Sequence, residues 1–549
     1  MQSALEAVPQ AVLTERLRAI GAVLLLAAPL SLGWHPVPTL GSLAETSAVF
    51  CIAAVLAFST PPAGLDRRRF WLGTGGLLGL LLLRSLMQAL AGDSAYAGFW
   101  WGPFTVLATA MLVCSYWGQR TDDWLRVLAW AVLLAALVNA VVGFLQYWRL
   151  AAIVDLLGPY LVYWDRTDAV AHGNVAQRNV LASLCLLGIA ASIYIFPRRS
   201  WRFMAVAGFL AYVVVLTSSR TPLLILLAVL LLALVRDRSW RALGKPPVLW
   251  FVIPVLGAQI VAPIVNRLIF WALDLAPLES SVDRLSAQGL GIRPIFYQLA
   301  AQIGLQEWAW GLGWKSLPTA MLEQGYRQQL WGSAELPMNA HNVLLQLWVE
   351  NGLFLALLAS LYPLWLMLRK GPSGPRQDYA RLSLAVLVVH SWLEYPLWQP
   401  ALLFLFVALM CTLESSAPTI RQPAWSTRWA FKGVAIAIAI GAAVTTVQFM
   451  VVAASWKQIT DGRPRGVFQA LAPLKMNPVI EPYADWLELN LNTDTPAQRV
   501  ARLERLALWL PDAMMLARLA DAYRSVGRLA DAQRIDARRL VVFGLQPGD

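Results

Sequence analysis

The amino-acid sequence predicts an all-α protein built from many membrane-spanning helices, and three observations predict it. Hydrophobic residues make up 58% of the chain and charged residues only 14%, against about 45–50% and about 25% in a soluble domain. The apolar residues gather in blocks long enough to cross roughly 30 Å of hydrocarbon. Arginine and lysine lie between the blocks, and loops rich in them alternate with loops that are poor in them, as the positive-inside rule requires of a polytopic protein.

In chain order, about 13 spans are expected, centred near Leu25, Ala53, Gly79, Ala108, Leu134, Leu187, Ala207, Leu227, Val255, Ala356, Val386, Leu405 and Ala439. The first follows Arg16 and Arg18 and reads as a signal anchor, because further spans follow and no clear small-residue cleavage site is present. With the N-terminus in the cytoplasm, the basic segments Arg67-Arg68-Arg69, Arg198-Arg199 with Arg202, Arg236 to Lys245 and Arg369 to Arg381 all fall on the cytoplasmic side. The opposite loops are His35 to Leu43, Gly92 to Gly98, Arg149 to Arg178, Leu275 to Ala340 and a short turn at Glu394 to Pro400, with few basic residues for their length. An odd number of spans then puts the C-terminus outside. Residues 1–454 are expected to form the transmembrane domain, with a large periplasmic loop at about 272–340.

From 455 to 549 the charges become frequent and roughly balanced, and apolar residues recur at helical spacing. Leu519, Ala520, Tyr523, Gly527 and Ala532 fit a tetratricopeptide helix pair. A small helical bundle capping the membrane domain fits the same residues, so the expectation is a C-terminal periplasmic helical domain of either kind.

Composition also excludes. The four cysteines, Cys51, Cys114, Cys185 and Cys411, sit inside apolar blocks without a CxxC pair, which reads as core residues and neither disulfide nor metal. The net charge of +12 does not imply nucleic acid, because the cations lie between spans. The 26 Trp suit interfacial belts and can also offer stacking faces to sugars. There is no DxD pair, which argues against a divalent metal held that way, and no GxxxxGK[ST] loop, which argues against ATP-driven transport.

Polar residues at membrane depth are costly and mark function by default, and here they collect at the outward ends. His172 to Asn179 leads into the sixth span, where Gln177, Arg178 and Asn179 either cap the helix start or present an amide and a cation to a polar substrate. Arg220, within Thr217 to Thr221, is an outer cation against the positive-inside trend; it needs an anion, either a ligand phosphate or a structural carboxylate. Arg293 precedes Gly311-Leu312-Gly313, which turns a loop and lacks the third glycine of a nucleotide motif. Arg284 lies nearby and Arg84 near the outer end of the third span; an Arg fork suits phosphate. His341-Asn342 opens the span that holds Gln346, Glu350, Asn351 and Gly352, and an imidazole there can take or give a proton. Glu394-Tyr395-Pro396-Leu397-Trp398-Gln399 forms an outer turn, readable also as a Pro-directed turn with interfacial aromatics.

Ser219-Arg220-Thr221, Arg293 with Gly311-x-Gly313, and His341-Asn342 with Glu350-x-Gly352 resemble the Wzy/WaaL superfamily of O-antigen polymerases and ligases. Gln177-x-Asn179 and Glu394-Tyr395-Pro396 look more like its protein O-oligosaccharyltransferase branch, the PglL/PilO type that glycosylates pilins. The motifs run from Arg149 to Trp398, and the topology covers the whole chain. The resemblance implies a GT-C-like enzyme of the bacterial inner membrane with a periplasmic active site. It implies metal-independent transfer without a cofactor, from an undecaprenyl (polyprenyl) pyrophosphate-linked glycan to a Ser/Thr hydroxyl of a protein such as pilin, with Gln177, His341 and Tyr395 required for activity. On that reading Arg220, Arg293, Arg84 and Arg284 hold the pyrophosphate, Asn179, Asn342 and Glu394 contact substrate, and direct displacement inverts the anomeric carbon. Two rivals stand beside it: an O-antigen ligase or polymerase with a sugar acceptor, and a polysaccharide or lipid flippase, against which the outward clustering of polar groups argues.

Overall fold

A computed structural model describes residues 2–37, 41–59, 70–91, 96, 98–117, 122–164, 170–272, 293–329, 338–371, 373–414, 425–491 and 494–545. Among the described residues there are 22 α-helices, three 3-10 turns and no strand. The membrane-facing part comprises α1 (Gln2–Ser31), α2 (Ser42–Phe58), α3 (Thr74–Ala91), α4 (Gly98–Trp117), α5 (Asp122–Tyr147), the short α6 (Ala151–Leu157), α7 (Arg178–Ile195), α8 (Trp201–Leu216), α9 (Thr221–Asp237) and α10 (Pro246–Ala272). It continues through α11 (Arg293–Gln306), α12 (Leu317–Arg327), α13 (Val343–Asn351), α14 (Leu353–Leu368), α15 (Pro375–Leu393), α16 (Pro400–Glu414) and α17 (Trp425–Thr460).

Among the described residues, five helices are long and apolar enough to cross a membrane: α3, most of α5, α7, α10 and most of α17. Four shorter apolar ones, α2, α8, α14 and α16, lie among them. All the expected span centres fall inside helices, and the protein is a multi-pass membrane protein. The basic segment at Arg67-Arg68-Arg69, Arg284 and residues 273–292 and 330–337 of the loop at 272–340 lie outside the described residues.

The core is organised on α5 and α7. Leu181, Leu186, Leu187 and Ala190 of α7 are fully buried, as are Ala135, Ala136 and Ala140 of α5. Between helices in lipid there is no hydrophobic driving force, so close packing of small residues must hold the pair. Gly188 meets that need: a Cβ there would lie 2.6 Å from the Cβ of Ala136. Helix α7 also packs on α8 and α15, and α17 runs along α2.

Two polar residues interrupt the apolar α5, Asn139 and Gln146, seven apart and hence on one face after two turns. They hold the described turn that precedes α7. The Gln146 amide donates to Tyr163 O (2.6 Å) and accepts from His172 N (3.0 Å) and Gly173 N (2.7 Å). Asn139 accepts from Val175 N at 3.0 Å. Asn174 donates to Ser31 O (2.6 Å) and Leu161 O (2.8 Å). Buried backbone groups that no helix satisfies are thereby paired, and the entrance to α7 is fixed.

A second fixed joint lies between α13 and α14. Leu312 N donates to Val349 O (2.7 Å) and Gly313 N to Glu350 O (2.8 Å), so the Gly311 loop lies against the break. Gly352 takes φ +85° there, and a Cβ would fall 2.0 Å from Ala309 O. Only glycine serves that position. The buried Glu350 carboxylate accepts from Lys315 N (3.0 Å) and Gln346 Nε2 (2.8 Å), tying loop and helix together.

Beyond α17, whose last turns pass the boundary expected at 454/455, come α18 (Val467–Leu471), a 3-10 turn (Ala472–Met476), α19 (Glu481–Glu488), α20 (Pro496–Trp509), α21 (Ala513–Ser525) and α22 (Leu529–Phe543). Leu519, Ala520, Tyr523 and Ala532 are buried between α21 and α22, and Gly527 turns the chain at φ +79°. These helices rest on the membrane-facing part at several places, two of which bear on its outer helices. Helix α22 packs on α12, with Arg538 and Glu323 2.8 Å apart. Tyr96, between α3 and α4, donates its hydroxyl to Asp485 at 2.9 Å.

Candidate functional site

The centre of the site is Glu394, at the C-cap of α15 where the chain turns into a 3-10 segment (Pro396–Trp398) before α16. Its side chain is only 3% exposed, and three groups from other elements converge on it. Arg293, first residue of α11, forms an ion pair with Oε1. Asn179, in the first turn of α7, donates to the same oxygen at 2.8 Å. His341, just before α13, places Nδ1 2.6 Å from Oε2. Burial alone would raise the Glu394 pKa, but the hydrogen bond with His341 and the Arg293 charge outweigh it, and the carboxyl titrates below its ordinary value.

A carboxylate only accepts, so the proton between Glu394 and His341 resides on Nδ1. With Nδ1 as the donor, Nε2 is the nitrogen left to accept a proton, on a ring that is 26% exposed. The arrangement can remove a proton from a hydroxyl group and stabilise the imidazolium that forms. Tyr395 packs its ring edge-on against the imidazole at 5.2 Å; burial first, then the Glu394 charge, pushes its phenol pKa up. The backbone of His341 takes φ +51°, sparsely populated for a non-glycine residue. The Tyr297 hydroxyl of α11 pins it by donating to His341 O at 3.1 Å. Asn342 caps α13 by accepting from Leu345 N (3.1 Å) and ties it to α15 through Trp392 O (3.1 Å).

Of the sequence-derived candidates, Asn179, Arg293, His341, Glu394 and Tyr395 are brought together, with Asn342 next to them. Gln177 is the N-cap of α7, accepting from Val180 N at 2.9 Å, two residues from Asn179. The capping alternative therefore holds for Gln177, whereas Asn179 turns to Glu394. Arg220 is half-buried at the N-terminus of α9, beside Ser219. Arg84 is turned toward the Gly311 loop, donating to Gly311 O at 3.4 Å. Arg284 is outside the described residues.

Sequence reading missed Ser219 and Tyr297 as individual residues. Ser219 Oγ donates to Asn179 Oδ1 at 2.6 Å, which turns the amide so that its Nδ2 faces Glu394. The chain Ser219–Asn179–Glu394–His341 thus joins the α8–α9 turn, α7, α15 and α13. The signal was present, since Ser219 and Asn179 are polar residues at the same end of apolar helices, but which of them touch is not written in spacing.

The site thus lies in a polytopic helical membrane protein and carries an imidazole oriented by a buried carboxylate. The comparisons narrow its class. A family model of O-antigen ligases matches residues 205–360, one of the C-terminal region of virulence-factor membrane-bound polymerases matches 379–547, and one of protein glycosylation ligases matches 171–196. No curated protein matches the chain. Together these matches support the Wzy/WaaL superfamily of O-antigen ligases and polymerases, with an affinity for its protein glycosylation ligases. Its activity is that of a glycan transferase.

Proposed function

We propose that this protein transfers a glycan en bloc from an undecaprenyl pyrophosphate carrier to a Ser/Thr hydroxyl of a periplasmic protein, pilin being the type of acceptor. The observation that carries the reading is the His341–Glu394 pair, 2.6 Å apart, whose geometry leaves Nε2 able to accept the acceptor's proton. The protein glycosylation ligase match over 171–196, which contains Gln177 and Asn179, supports the protein acceptor. In this reading the protein has about 13 spans in a GT-C-like arrangement in the bacterial inner membrane, with the N-terminus cytoplasmic. Residues 1–454 form the membrane domain and residues 455–549 a tetratricopeptide-like periplasmic unit.

In the reaction His341 Nε2 takes the hydroxyl proton as the oxygen attacks the anomeric carbon. The bond from that carbon to the pyrophosphate oxygen breaks, and its electron pair stays on the pyrophosphate. Configuration inverts. Arg293 spends one nitrogen on Glu394 and keeps the rest of its fork for the leaving group. Arg220, Arg84 and Arg284 add cationic donors, and fixed charge aimed at a developing anion is commonly the largest catalytic contribution. Gln177 and Tyr395 line the approach to His341, and Asn342 fixes its backbone. No metal is required in this scheme, so chelators leave activity unchanged; loss in EDTA restored by magnesium or manganese overturns that part.

The test is co-expression with a pilin and a lipid-linked glycan pathway, followed by mass spectrometry of the pilin. His341→Ala is expected to reduce transfer by about 10²–10⁴-fold, with His341→Gln equally impaired because an amide cannot take a proton. Near-normal transfer by the glutamine variant would restrict His341 to orienting the hydroxyl. A sugar acceptor remains the second reading, favoured by the O-antigen ligase match over 205–360 and the polymerase match over 379–547. A lipopolysaccharide core or polysaccharide acceptor assayed beside pilin decides between them.

A further inference from the structure

Helices α7, α9, α14 and α15 meet the Glu394 network at one end, through Asn179, the Ser219 turn, the Gly352 joint and Glu394 itself. The 18 residues of α7 make a helix of about 27 Å, close to the roughly 30 Å of a bilayer's hydrocarbon. The other ends of the same helices therefore reach the opposite membrane boundary.

Three segments come together there: residues 198–202 between α7 and α8, residues 236–245 between α9 and α10, and residues 369–381, which lead into α15. They hold eleven arginines and lysines against two carboxylates, Asp237 and Asp378. Asp122, Asp123 and Glu414, at the same ends of α5 and α16, bring the carboxylates to five. Glu414 is already engaged, accepting from Thr74 N and from the Tyr362 hydroxyl at 2.7 Å each. The excess of cations survives the wider count.

The segments are within reach of one another. The Tyr194 ring of α7 stacks on Tyr379 of α15 at 5.2 Å, and Lys245 pairs with Asp237 at 2.5 Å. Asp378 feels the charges of Arg381, Arg236, Arg198 and Lys245. Arg381 feels Asp378 and Asp237, but also Arg236 and Arg369. The positive-inside rule explains why cations lie on one side of a membrane. It does not require that arginines from three segments surround two carboxylates. Like charges held that closely repel, and an anion placed among them relieves the repulsion. Arg198, Arg236 and Arg381 are half-buried, while Arg199, Arg238 and Lys245 are exposed, so a ligand can approach.

The adjoining surface is apolar. Leu231 and Val235 near the end of α9, Trp201 at the start of α8 and Trp365 in the last turn of α14 are all exposed. Arg369 lies over the Trp365 ring at 5.2 Å. An anion that fits this boundary carries hydrocarbon with it. Arginine forks match phosphate oxygens, and basic pockets between helix ends attract anionic lipid headgroups.

We propose that this end of the bundle binds an anionic phospholipid, with its phosphodiester among Arg198, Arg236, Lys245 and Arg381 and its acyl chains along α9. The lipid joins α9 to α15, whose far ends hold the Ser219 and Glu394 sides of the other site. The proposal does not rest on the glycan-transfer reading.

The experiment uses the full chain in a neutral detergent. Native mass spectrometry counts bound lipid while cardiolipin, phosphatidylglycerol or phosphatidylcholine is titrated. The anionic lipids are expected to bind at least tenfold more tightly than phosphatidylcholine. Two double variants, Arg236→Gln with Arg381→Gln and Arg199→Gln with Lys245→Gln, should each weaken that binding about fivefold or more. The second pair changes exposed side chains only, so it remains decisive if the first fails to fold. Arg463→Gln with Arg465→Gln, exposed cations of the loop after α17, should leave binding unchanged. Equal affinity for phosphatidylcholine overturns the proposal. So does unchanged affinity in the Arg199 and Lys245 pair, or an equal loss in the Arg463 and Arg465 pair, which would mean bulk charge alone. Displacement of the lipid by glycerol phosphate as readily as by phosphatidylglycerol would mark a site for soluble anions and overturn the lipid assignment.

Discussion

Glu394 divides its two oxygens between different partners, Arg293 and Asn179 on one and His341 on the other. Its carboxyl titrates below the ordinary glutamate value in the folded protein, because the His341 hydrogen bond and the Arg293 charge outweigh its burial. A depressed carboxylate contributes stability that is present above its unfolded pKa and lost as pH falls through the folded one. The gap in thermal stability between the parent and Glu394→Gln should therefore be widest near neutrality and close as pH falls through and below the ordinary carboxylate range. Its size near neutrality should be about 1–3 kcal/mol, the cost of an unmet hydrogen bond to a charged group. A gap that grows with acidification would contradict the assignment. Ser219 acts one step further out. Ser219→Ala removes the hydroxyl that orients the Asn179 amide, and transfer should fall about fivefold to tenfold, the loss of roughly 1 kcal/mol of net hydrogen bonding, with the acid limb of the pH–rate profile displaced. Unchanged turnover and an unchanged profile would reduce Ser219 to packing. The candidate residues themselves were legible in sequence because ionisable and amide groups are rare in apolar segments. That Arg293 pairs with Glu394 was not legible, since the two stand 101 positions apart.

Among the elements, the α13–α14 joint matters because α13 begins directly after His341. The Gly311 loop, Glu350 and Gly352 together set the direction of α13, and so the position of the imidazole. Gly352→Ala brings about 1–3 kcal/mol of backbone strain and a clash with Ala309 O. It should lower the unfolding midpoint and reduce transfer although it touches no substrate. Gly352→Ala with full activity and stability would show that the break is not fixed in this way. The GxG and ExG pairs were visible in sequence as a loop and a helix break. Their contact with each other was not, because the backbone bonds that join Leu312 to Val349 and Gly313 to Glu350 involve no side-chain signal. Asn139 and Gln146 went unread for the opposite reason: their polarity was plain, but they serve the backbone before α7 and not a ligand.

For the whole molecule, the prediction concerns which side each end occupies. A reporter fused near Gly374 should read as cytoplasmic and one fused after Asp549 as periplasmic; a cytoplasmic C-terminus would mean a miscounted span among the last three. The sequence by itself determined the solvent and the class. Long apolar blocks must be helices in lipid, since no other open backbone satisfies its own hydrogen bonds there, and their basic loops set an expected orientation. It also determined which residue types were available for chemistry. Only the tertiary structure decided which of them meet: Asn179, Arg293, His341 and Glu394 come from four helices and gain their roles by converging on one buried carboxylate. Hydrophobic periodicity dictates where a helix lies, whereas a site depends on which helix ends pack together, and that is fixed by small-residue contacts such as Gly188 on Ala136 that a linear pattern does not specify.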